Sequence, residues 1–159
     1  MTVWVTRVLL DLGVPESSIR WNMEESGEEV DIVFEYLDRL WIVELKDRDF
    51  GAGDAHPFNY RRVRYRAEEA VVVSTGKVST DARRVFRDLT QGAGRARRNE
   101  QLTLIEGLDS VAGNLSKRFD DAALIRTRST LRLPSMASGY DLVEIFARRA
   151  VTGAPQARP

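Results

Sequence analysis

Three charged side chains interrupt the apolar runs between Val30 and Phe50. Asp31 lies in the first run, and Glu44 and Lys46 lie in the second. A charge inside a buried strand is costly unless it is paired or binds a metal ion. Two carboxylates at short range repel each other, and Mg²⁺ or Mn²⁺, which prefer hard oxygen ligands, relieve that repulsion. These residues are therefore the first candidates for a catalytic site.

The two apolar runs, residues 30–36 and 40–46, are predicted to be strands joined by a tight bend. A two-residue loop at positions 37 and 38 places Asp31 directly opposite Glu44, whereas a shift by two residues places it opposite Lys46. In both registers the three charges share one face of the sheet, because alternate residues of a strand face the same side. Facing side chains have Cβ atoms about 5 Å apart, so the two carboxylates could share a cation.

This set of groups points to phosphodiester hydrolysis. Asp31 and Glu44 would be metal ligands, and the backbone carbonyl of Leu45 is a natural further ligand. Lys46 could polarise an attacking water or stabilise the charge that develops on a phosphate. The alternative is structural: the two acids are edge charges and Lys46 is their salt-bridge partner, an arrangement that is common and contributes little stability.

The remaining apolar patterns predict the elements that position these residues. Helices are expected over residues 3–12, 54–69, 80–89 and 110–125, and further strands over residues 18–23, 70–74 and 102–105. This order predicts an α/β fold with a mixed central sheet flanked by helices. We assign residues 1–125 to that domain. Residues 126–159 form a C-terminal extension, irregular over 126–138, with one short helix over 140–150 and a disordered tail.

The hairpin motif resembles a known superfamily. Asp31, a spacer of twelve residues and then Glu44-Leu45-Lys46, within this order of elements, are similar to the PD-(D/E)XK nucleases over residues 3–106. The resemblance implies the restriction-endonuclease-like αβββαβ core and a metal-dependent nuclease, with Asp31 and Glu44 as ligands and Lys46 as the catalytic lysine.

The chain departs from the superfamily pattern at two places. Val30 precedes the aspartate where the motif has proline, a change that many members tolerate. Members also often carry a glutamate on the first helix, and here that helix offers only Asp11. Three explanations stay open: a glutamate at 24, 25, 28 or 29 substitutes, a second metal is absent, or the chain begins inside a helix that is longer in its parent protein.

The helix expected after the hairpin is rich in arginine and tyrosine. Guanidinium forks and aromatic faces suit a phosphate backbone and unstacked bases, and the alternative is a solvated face paired with nearby glutamates. The predicted nucleic-acid contacts, one of them on the next helix, are Tyr60, Arg61, Arg62, Arg64, Arg66 and Arg84. Further basic residues that could extend this region are Arg83, Arg87, Arg95, Arg97 and Arg98.

Asp54 and His56 are candidate additional members of the site. A helix that starts near Asp54 directs its first N–H groups toward the strand ends, which makes a ready anion site. The structural alternatives are Asp54 as the helix N-cap and His56, the single histidine, as a surface residue. Trp4, Trp21 and Trp41 are expected in the core.

Composition limits the other possibilities. The absence of cysteine excludes disulfides, zinc–thiolate sites and cysteine nucleophiles. No apolar run approaches the roughly 20 residues of a membrane span, and the N-terminus lacks signal-peptide features, so we expect a cytoplasmic protein. The formal net charge is zero, yet residues 1–47 carry 4 basic and 11 acidic side chains, and residues 48–98 carry 12 basic and 6 acidic. The basic middle third favours a polyanionic partner.

The sequence therefore predicts a Mg²⁺- or Mn²⁺-dependent endonuclease, a hydrolase acting on ester bonds. DNA is the expected substrate in preference to RNA, and the chain could be the effector module of a defence or repair system. Expected partners are nucleic acid and either a second copy of the chain or a larger multidomain system, with no membrane. The alternative is a catalytically inactive nucleic-acid-binding or scaffolding module of the same fold.

Overall fold

A computed structural model of the chain describes residues 1–25, 27–91 and 101–144. The helices are α1 Thr2–Asp11, α2 Ala52–Arg64, α3 Thr80–Gln91 and α4 Val111–Ser138. The strands are β1 Ile19–Glu25, β2 Glu28–Tyr36, β3 Arg39–Lys46, β4 Glu69–Ser74 and β5 Gln101–Glu106. Short 3₁₀ turns precede β1 and α4.

The five strands form one mixed sheet in the order β1-β2-β3-β4-β5. The first three strands pair antiparallel, and β3, β4 and β5 pair parallel. Every residue of β4 is buried, as a continuous apolar run covered on both faces requires. The sheet with its helices and the helical C-terminal part confirm the expected α/β class. Glu44 consequently lies on the central strand of the sheet.

Helices α2 and α3 cover one face of the sheet. Phe58 of α2 and Phe86 of α3 pack in a single buried cluster with strand residues that include Val33 and Ile42. The two phenylalanine rings meet edge to face at 6.3 Å between centroids. By strand alternation Glu44 shares the Ile42 side of β3, so its side chain is directed to the face that α2 covers.

The opposite face carries a second aromatic pair. Phe34 and Trp41 face each other across β2 and β3 and stack at 5.5 Å between ring centroids. Trp41 is fully buried, as predicted. Trp4 and Trp21 are not core residues, because 43% and 48% of their surfaces are exposed; the Trp21 indole instead donates a hydrogen bond to Thr6 of α1.

A two-residue turn fixes the β2–β3 hairpin. Leu37 and Asp38 both have positive φ, at 56° and 57°, which is the backbone of a type I′ turn. This turn matches the right-handed twist of the strands and leaves Tyr36 opposite Arg39. The register in which Asp31 lies opposite Glu44 follows from that pairing.

Two predicted elements need correction. Helix α2 begins at Ala52 and ends at Arg64, earlier at both ends than expected, because Gly51 is the N-cap and Arg66 takes a positive φ of 53°. Residues 126–138 are helical and not irregular, since α4 continues to Ser138. The chain divides into two compact units, Met1–Lys117 and Arg118–Pro159, a boundary that lies earlier in α4 than the predicted one at 125/126.

Residues 142–144 form a single helical turn of the second unit. The sequence predicts this helix over 140–150, but Tyr140 and Asp141 are not helical. Residues 145–150, the tail, and the loop arginines Arg95, Arg97 and Arg98 lie outside the described residues. Among the residues that are described, no helix is both long and apolar enough to cross a membrane.

Candidate active site

The β2–β3 hairpin brings the two predicted carboxylates to the point where the strands separate. The last backbone pair between these strands is Ile32 opposite Val43. One more step in the same count sets Asp31 opposite Glu44, as one of the two predicted registers requires. The acids therefore lie just beyond the ladder, where backbone groups are available to side chains.

Asp31 uses one carboxylate oxygen to hold the facing strand. Its Oδ2 accepts a hydrogen bond from the backbone N–H of Leu45 at 2.6 Å. Leu45 follows Glu44 directly, so this bond fixes the Asp31 carboxylate beside the start of the Glu44 side chain. The sequence suggested the Leu45 carbonyl as a metal ligand; the described contact is through its N–H, and the carbonyl as a ligand stays a prediction.

Glu44 is a buried carboxylate held between two cations. Its side chain is 3% exposed, and Oε1 lies 2.9 Å from Nζ of Lys46. Oε2 accepts a hydrogen bond from Nη2 of Arg61 at 2.9 Å. Lys46 is the more accessible partner at 28% exposed, against 12% for Arg61. The lysine is thus the partner of the buried acid that solvent can reach more readily.

Burial raises the pKa of Glu44 above its ordinary value of 4.5, because desolvation penalises the charged form. The hydrogen bond from Lys46 and the charge of Arg61 lower this pKa, while the negative charge of Asp31 raises it. Asp31 is therefore close enough to act electrostatically on Glu44. Two carboxylates under mutual repulsion in a buried place are a favourable setting for a divalent cation.

Asp54 borders this cluster but is committed to two other contacts. Its carboxylate accepts a bidentate pair from Arg48 at 2.9 and 2.7 Å and also bonds the N–H of Gly51 at 3.0 Å. Gly51 is the N-cap and Asp54 is the third residue of α2, whose carboxylate accepts the N-cap N–H. The interpretation of Asp54 as the N-cap is therefore wrong. Contact with Arg48 is the main reason that the pKa of Asp54 is lowered, with a smaller contribution from nearby Lys46.

The predicted nucleic-acid residues of α2 take different positions. Tyr60 is 53% exposed, and its hydroxyl accepts a hydrogen bond from the exposed Arg64 at 3.3 Å. Arg66 is exposed just after the helix, and His56 is exposed in its first turn. On α3, Arg84 is exposed and pairs with Asp81 at 3.1 Å.

The prediction for Arg62 is wrong. Its side chain lies inside the fold, with 2% of the residue exposed, so it cannot contact a nucleic acid. The helical phase explains the error, because Phe58 is buried and Arg62 follows it by four residues, one turn further along the same face. Arg61 is thereby directed to Glu44. The sequence suggested Arg61 as a phosphate contact and missed its ion pair with the carboxylate.

Asn22 is a second feature that sequence reasoning missed. Trp21 pairs with Ile32 and Met23 pairs with Val30, so the count places Asn22 opposite Asp31. Asn22 has a φ of 47°, a left-handed conformation that asparagine tolerates better than most residues. In the sequence, only the residue type indicated that Asn22 could take this conformation. It did not indicate that the irregular backbone would lie opposite Asp31.

The donor set fits Mg²⁺ or Mn²⁺ with two protein carboxylates. Among residues 1–25, 27–91 and 101–144, no group of three or more His, Cys, Asp or Glu side chains gathers as a metal site. Mg²⁺ commonly takes one or two carboxylates and keeps several waters, whereas Ca²⁺ takes six to eight oxygen ligands. Superfamily members often carry a glutamate on the first helix, and a glutamate at 24, 25, 28 or 29 was considered as its substitute. Of these, Glu24 and Glu29 are exposed. Asp31 and Glu44 are the residues that would hold the cation.

Comparison with known proteins supports the fold and leaves the activity open. No family model matches the chain, and no curated protein matches it. A solved structure, that of the protein of unknown function AF1548, aligns over 96% of this chain and 97% of its own, with a TM-score of 0.53 and 14% identity. At that identity the likeness shows the fold alone.

A second structure, protein VC1899 from Vibrio cholerae, aligns with a TM-score of 0.49 and 20% identity over 76% of this chain. The chain spans 32% of the length of that protein, and at this score the match carries no argument. The resemblance of the hairpin motif to the PD-(D/E)XK superfamily therefore rests on the residues described above.

Proposed function

We propose that this chain is a Mg²⁺- or Mn²⁺-dependent nuclease that hydrolyses phosphodiester bonds, with DNA as the expected substrate. The observation that carries the proposal is the buried Glu44 carboxylate, 2.9 Å from the Lys46 ammonium, with the Asp31 carboxylate held on the N–H of the adjoining Leu45. Asp31, Glu44 and Lys46 are the three residues that the superfamily motif assigns to catalysis.

Asp31 and Glu44 would hold the cation, and each has one feature that prepares it. The Leu45 N–H fixes the orientation of Asp31, and burial limits the positions open to the Glu44 side chain. When bound, the cation would supply Lewis acidity toward a phosphate oxygen and a lower pKa for a water molecule.

Lys46 supplies charge at the reacting centre. Its ammonium donates toward Glu44 and its side chain is 28% exposed, so further donors of the ammonium can be directed outward. An ammonium has three N–H donors and no acceptor. It would hold an attacking water in place and stabilise the negative charge that builds on the phosphate oxygens.

The exposed side of α2 would position the nucleic acid. Arg64 and Tyr60 form a linked basic and aromatic pair, which suits contact with a phosphate and an unstacked base. Arg66 continues the basic surface beyond the helix end. These contacts would add affinity that falls as salt concentration rises, since they act mainly through charge.

Cleavage assays test the proposal. Supercoiled plasmid, single-stranded DNA and RNA are incubated with Mn²⁺ and the wild-type chain, Glu44→Ala or Lys46→Ala, with EDTA as a further control. The matched control is Lys77→Ala, since Lys77 is 82% exposed and its ion pair is with Glu106 and not with Glu44. We expect cleavage by the wild type and the control, and loss in both site variants. Equal cleavage by all four proteins would mean a contaminating nuclease and would count against the proposal.

The second candidate function is a nucleic-acid-binding or scaffolding module without turnover. The observation that favours it is that Lys46 and Arg61 each engage one oxygen of Glu44, which also describes a satisfied structural ion cluster. A protein that shifts labelled DNA in gels, yet cleaves none of the three substrates with Mn²⁺ or Mg²⁺, would establish this function in place of the nuclease.

A further inference from the structure

Arg61 contacts the same carboxylate that the proposed function assigns to a cation. Its Nη2 lies 2.9 Å from Oε2 of Glu44, and its Nη1 donates to the backbone carbonyl of Glu29. Only 12% of the Arg61 side chain is exposed. The pair is thus enclosed, where Coulomb attraction is screened less than at the protein surface.

Ligation of a cation by Glu44 opposes this ion pair. Lys46 engages Oε1 and Arg61 engages Oε2, so a divalent cation bound to Glu44 would lie close to at least one of the two positive groups. Like charges a few ångströms apart in a partly buried place repel strongly. One of the two side chains must therefore give up its contact when the cation binds.

Lys46 is the more exposed of the two side chains, but two features point to Arg61 as the one that gives up its contact with Glu44. Lys46 lies two residues from Glu44 on the same strand, whereas Arg61 reaches across from α2 on a long side chain. A guanidinium also has an alternative partner in the proposed reaction, because its planar fork fits two oxygens of a phosphate with parallel hydrogen bonds.

We infer that Arg61 exchanges between Glu44 and a nucleic-acid phosphate, so that cation binding and nucleic-acid binding promote each other through this one side chain. The inference rests on the proposed nuclease function. A cation on Glu44 releases Arg61 for the phosphate, and a phosphate that takes up Arg61 frees Glu44 for the cation. By linkage, each ligand raises the affinity for the other by the same factor.

The first test is a Mn²⁺ titration without nucleic acid, in which electron paramagnetic resonance measures the concentration of free Mn²⁺. Wild type is compared with Arg61→Gln and with Arg64→Gln, a matched control on the exposed side of the same helix. We expect Arg61→Gln to bind Mn²⁺ about tenfold more tightly, in the usual range of such couplings, and Arg64→Gln to bind as the wild type does.

The outcomes separate the inference from the proposed function. If the wild type binds Mn²⁺ and Arg61→Gln binds it equally or more weakly, the exchange is refuted while the metal site stands. If no variant binds Mn²⁺, both fail. Arg61→Lys guards against misfolding of the glutamine variant: it keeps a competing charge, so its Mn²⁺ affinity should stay near the wild-type value, and much tighter binding would contradict the inference.

The second test measures the coupling itself. The same titrations are repeated with a phosphorothioate oligonucleotide whose integrity is checked on gels. In the wild type we expect the oligonucleotide to raise Mn²⁺ affinity about tenfold, whereas in Arg61→Gln the ratio should be close to one. Arg7→Gln is the matched control here, because Arg7 is exposed on α1 and pairs with Asp11, and it should keep the wild-type ratio. An equal ratio in all three proteins would show that the coupling passes through other groups and would overturn the inference.

Discussion

Glu44 on β3 and Glu69 on β4 are both glutamates with almost no exposed surface, at 2% and 0%, and each contacts an arginine. Glu69 lies opposite Trp41 in the parallel pairing, and its Oε1 is 2.8 Å from Nε of Arg39. Arg39 is itself 10% exposed at its side chain. This pair joins the start of β4 to the start of β3 inside the fold.

Glu44 differs from Glu69 in what surrounds it. It has basic partners in both Lys46 and Arg61, a neighbouring carboxylate in Asp31, and, in Lys46, a partner that is 28% exposed. A buried pair with matched charges holds strands together, whereas a buried acid next to a second acid and an accessible lysine is a candidate functional site. Burial of a glutamate alone therefore does not mark a site; the neighbouring charges do.

The largest difference between the two glutamates should appear in catalysis. Glu44→Gln removes a proposed cation ligand, and we expect cleavage to fall about a hundredfold to a thousandfold, since loss of one preorganised electrostatic group commonly costs two to three orders of magnitude. Glu69→Gln should leave the rate per folded molecule unchanged. Initial rates on plasmid with Mn²⁺ measure both, and equal losses in the two variants would remove the distinction.

The free energy of unfolding should show the reverse order, with a larger loss in Glu69→Gln than in Glu44→Gln. Glu69→Gln leaves Arg39 buried beside a neutral group, and we expect a loss of about 3 kcal/mol in the free energy of unfolding. Glu44→Gln should cost at most about 1 kcal/mol, because Lys46 can turn toward solvent and Arg61 keeps its contact with the Glu29 carbonyl. Burial also already disfavours the charge of Glu44. Urea denaturation of the cation-free proteins provides the comparison, and a greater loss in Glu44→Gln would contradict it.

Lys46→Met separates cation binding from chemistry at the same carboxylate. The substitution keeps the aliphatic stem and removes the ammonium, so the cleavage rate should fall about a hundredfold while Mn²⁺ still binds. The measurement pairs single-turnover cleavage with Mn²⁺ titration. Loss of Mn²⁺ binding in this variant would show that Lys46 builds the cation site and is not confined to the reaction step.

Sequence reasoning succeeded where short-range rules decide the structure. The two-residue turn at Leu37 and Asp38 determines which residues face each other, so the relation of Asp31 to Glu44 could be predicted from spacing. The continuous apolar run of β4 is likewise typical of a strand covered on both faces. The hydroxyl of Ser79, the residue before α3, accepts the N–H of Ala82 at 3.1 Å, a cap that serine at this place in the sequence favours.

Sequence reasoning failed where packing decides which face of a helix is buried, or which residue a charged side chain pairs with. Arg61 and Arg62 are neighbours of one type in one helix, and only the burial of Phe58 determines which of them faces inward. The exposure of Trp4 and Trp21 could not be predicted from their apolar character, because exposed apolar residues are common on protein surfaces. No pattern in the sequence indicated that Arg61 would pair with Glu44.

The smallest expected effect is on the pH dependence of stability, and it concerns a third glutamate, Glu106 at the end of β5. The Val78 N–H and Arg83 lower its pKa below the ordinary 4.5, and both contacts measure 2.8 Å. A lowered pKa means that its contribution to stability is present above pH 4.5 and is lost as pH falls through the folded-state value.

Glu106→Gln should therefore be less stable than the wild type at neutral pH, with the difference shrinking as the pH falls through the acid range. Thermal melts across this range measure the difference. A gap that widens as pH falls would contradict the assigned sign. The same melts with Glu44→Gln sharpen the contrast, because the pKa of Glu44 is displaced in the opposite direction.

Mn²⁺ binding to the wild type, Asp31→Asn, Glu44→Gln and Glu69→Gln tests most directly whether Asp31 and Glu44 share a cation. Asp31→Asn keeps an oxygen that can accept the Leu45 N–H, so its effect reports on charge. We predict one site per chain in the wild type and Glu69→Gln, and loss of that site in both Asp31→Asn and Glu44→Gln. A wild type that binds no Mn²⁺, or binding that survives both substitutions, would contradict the account.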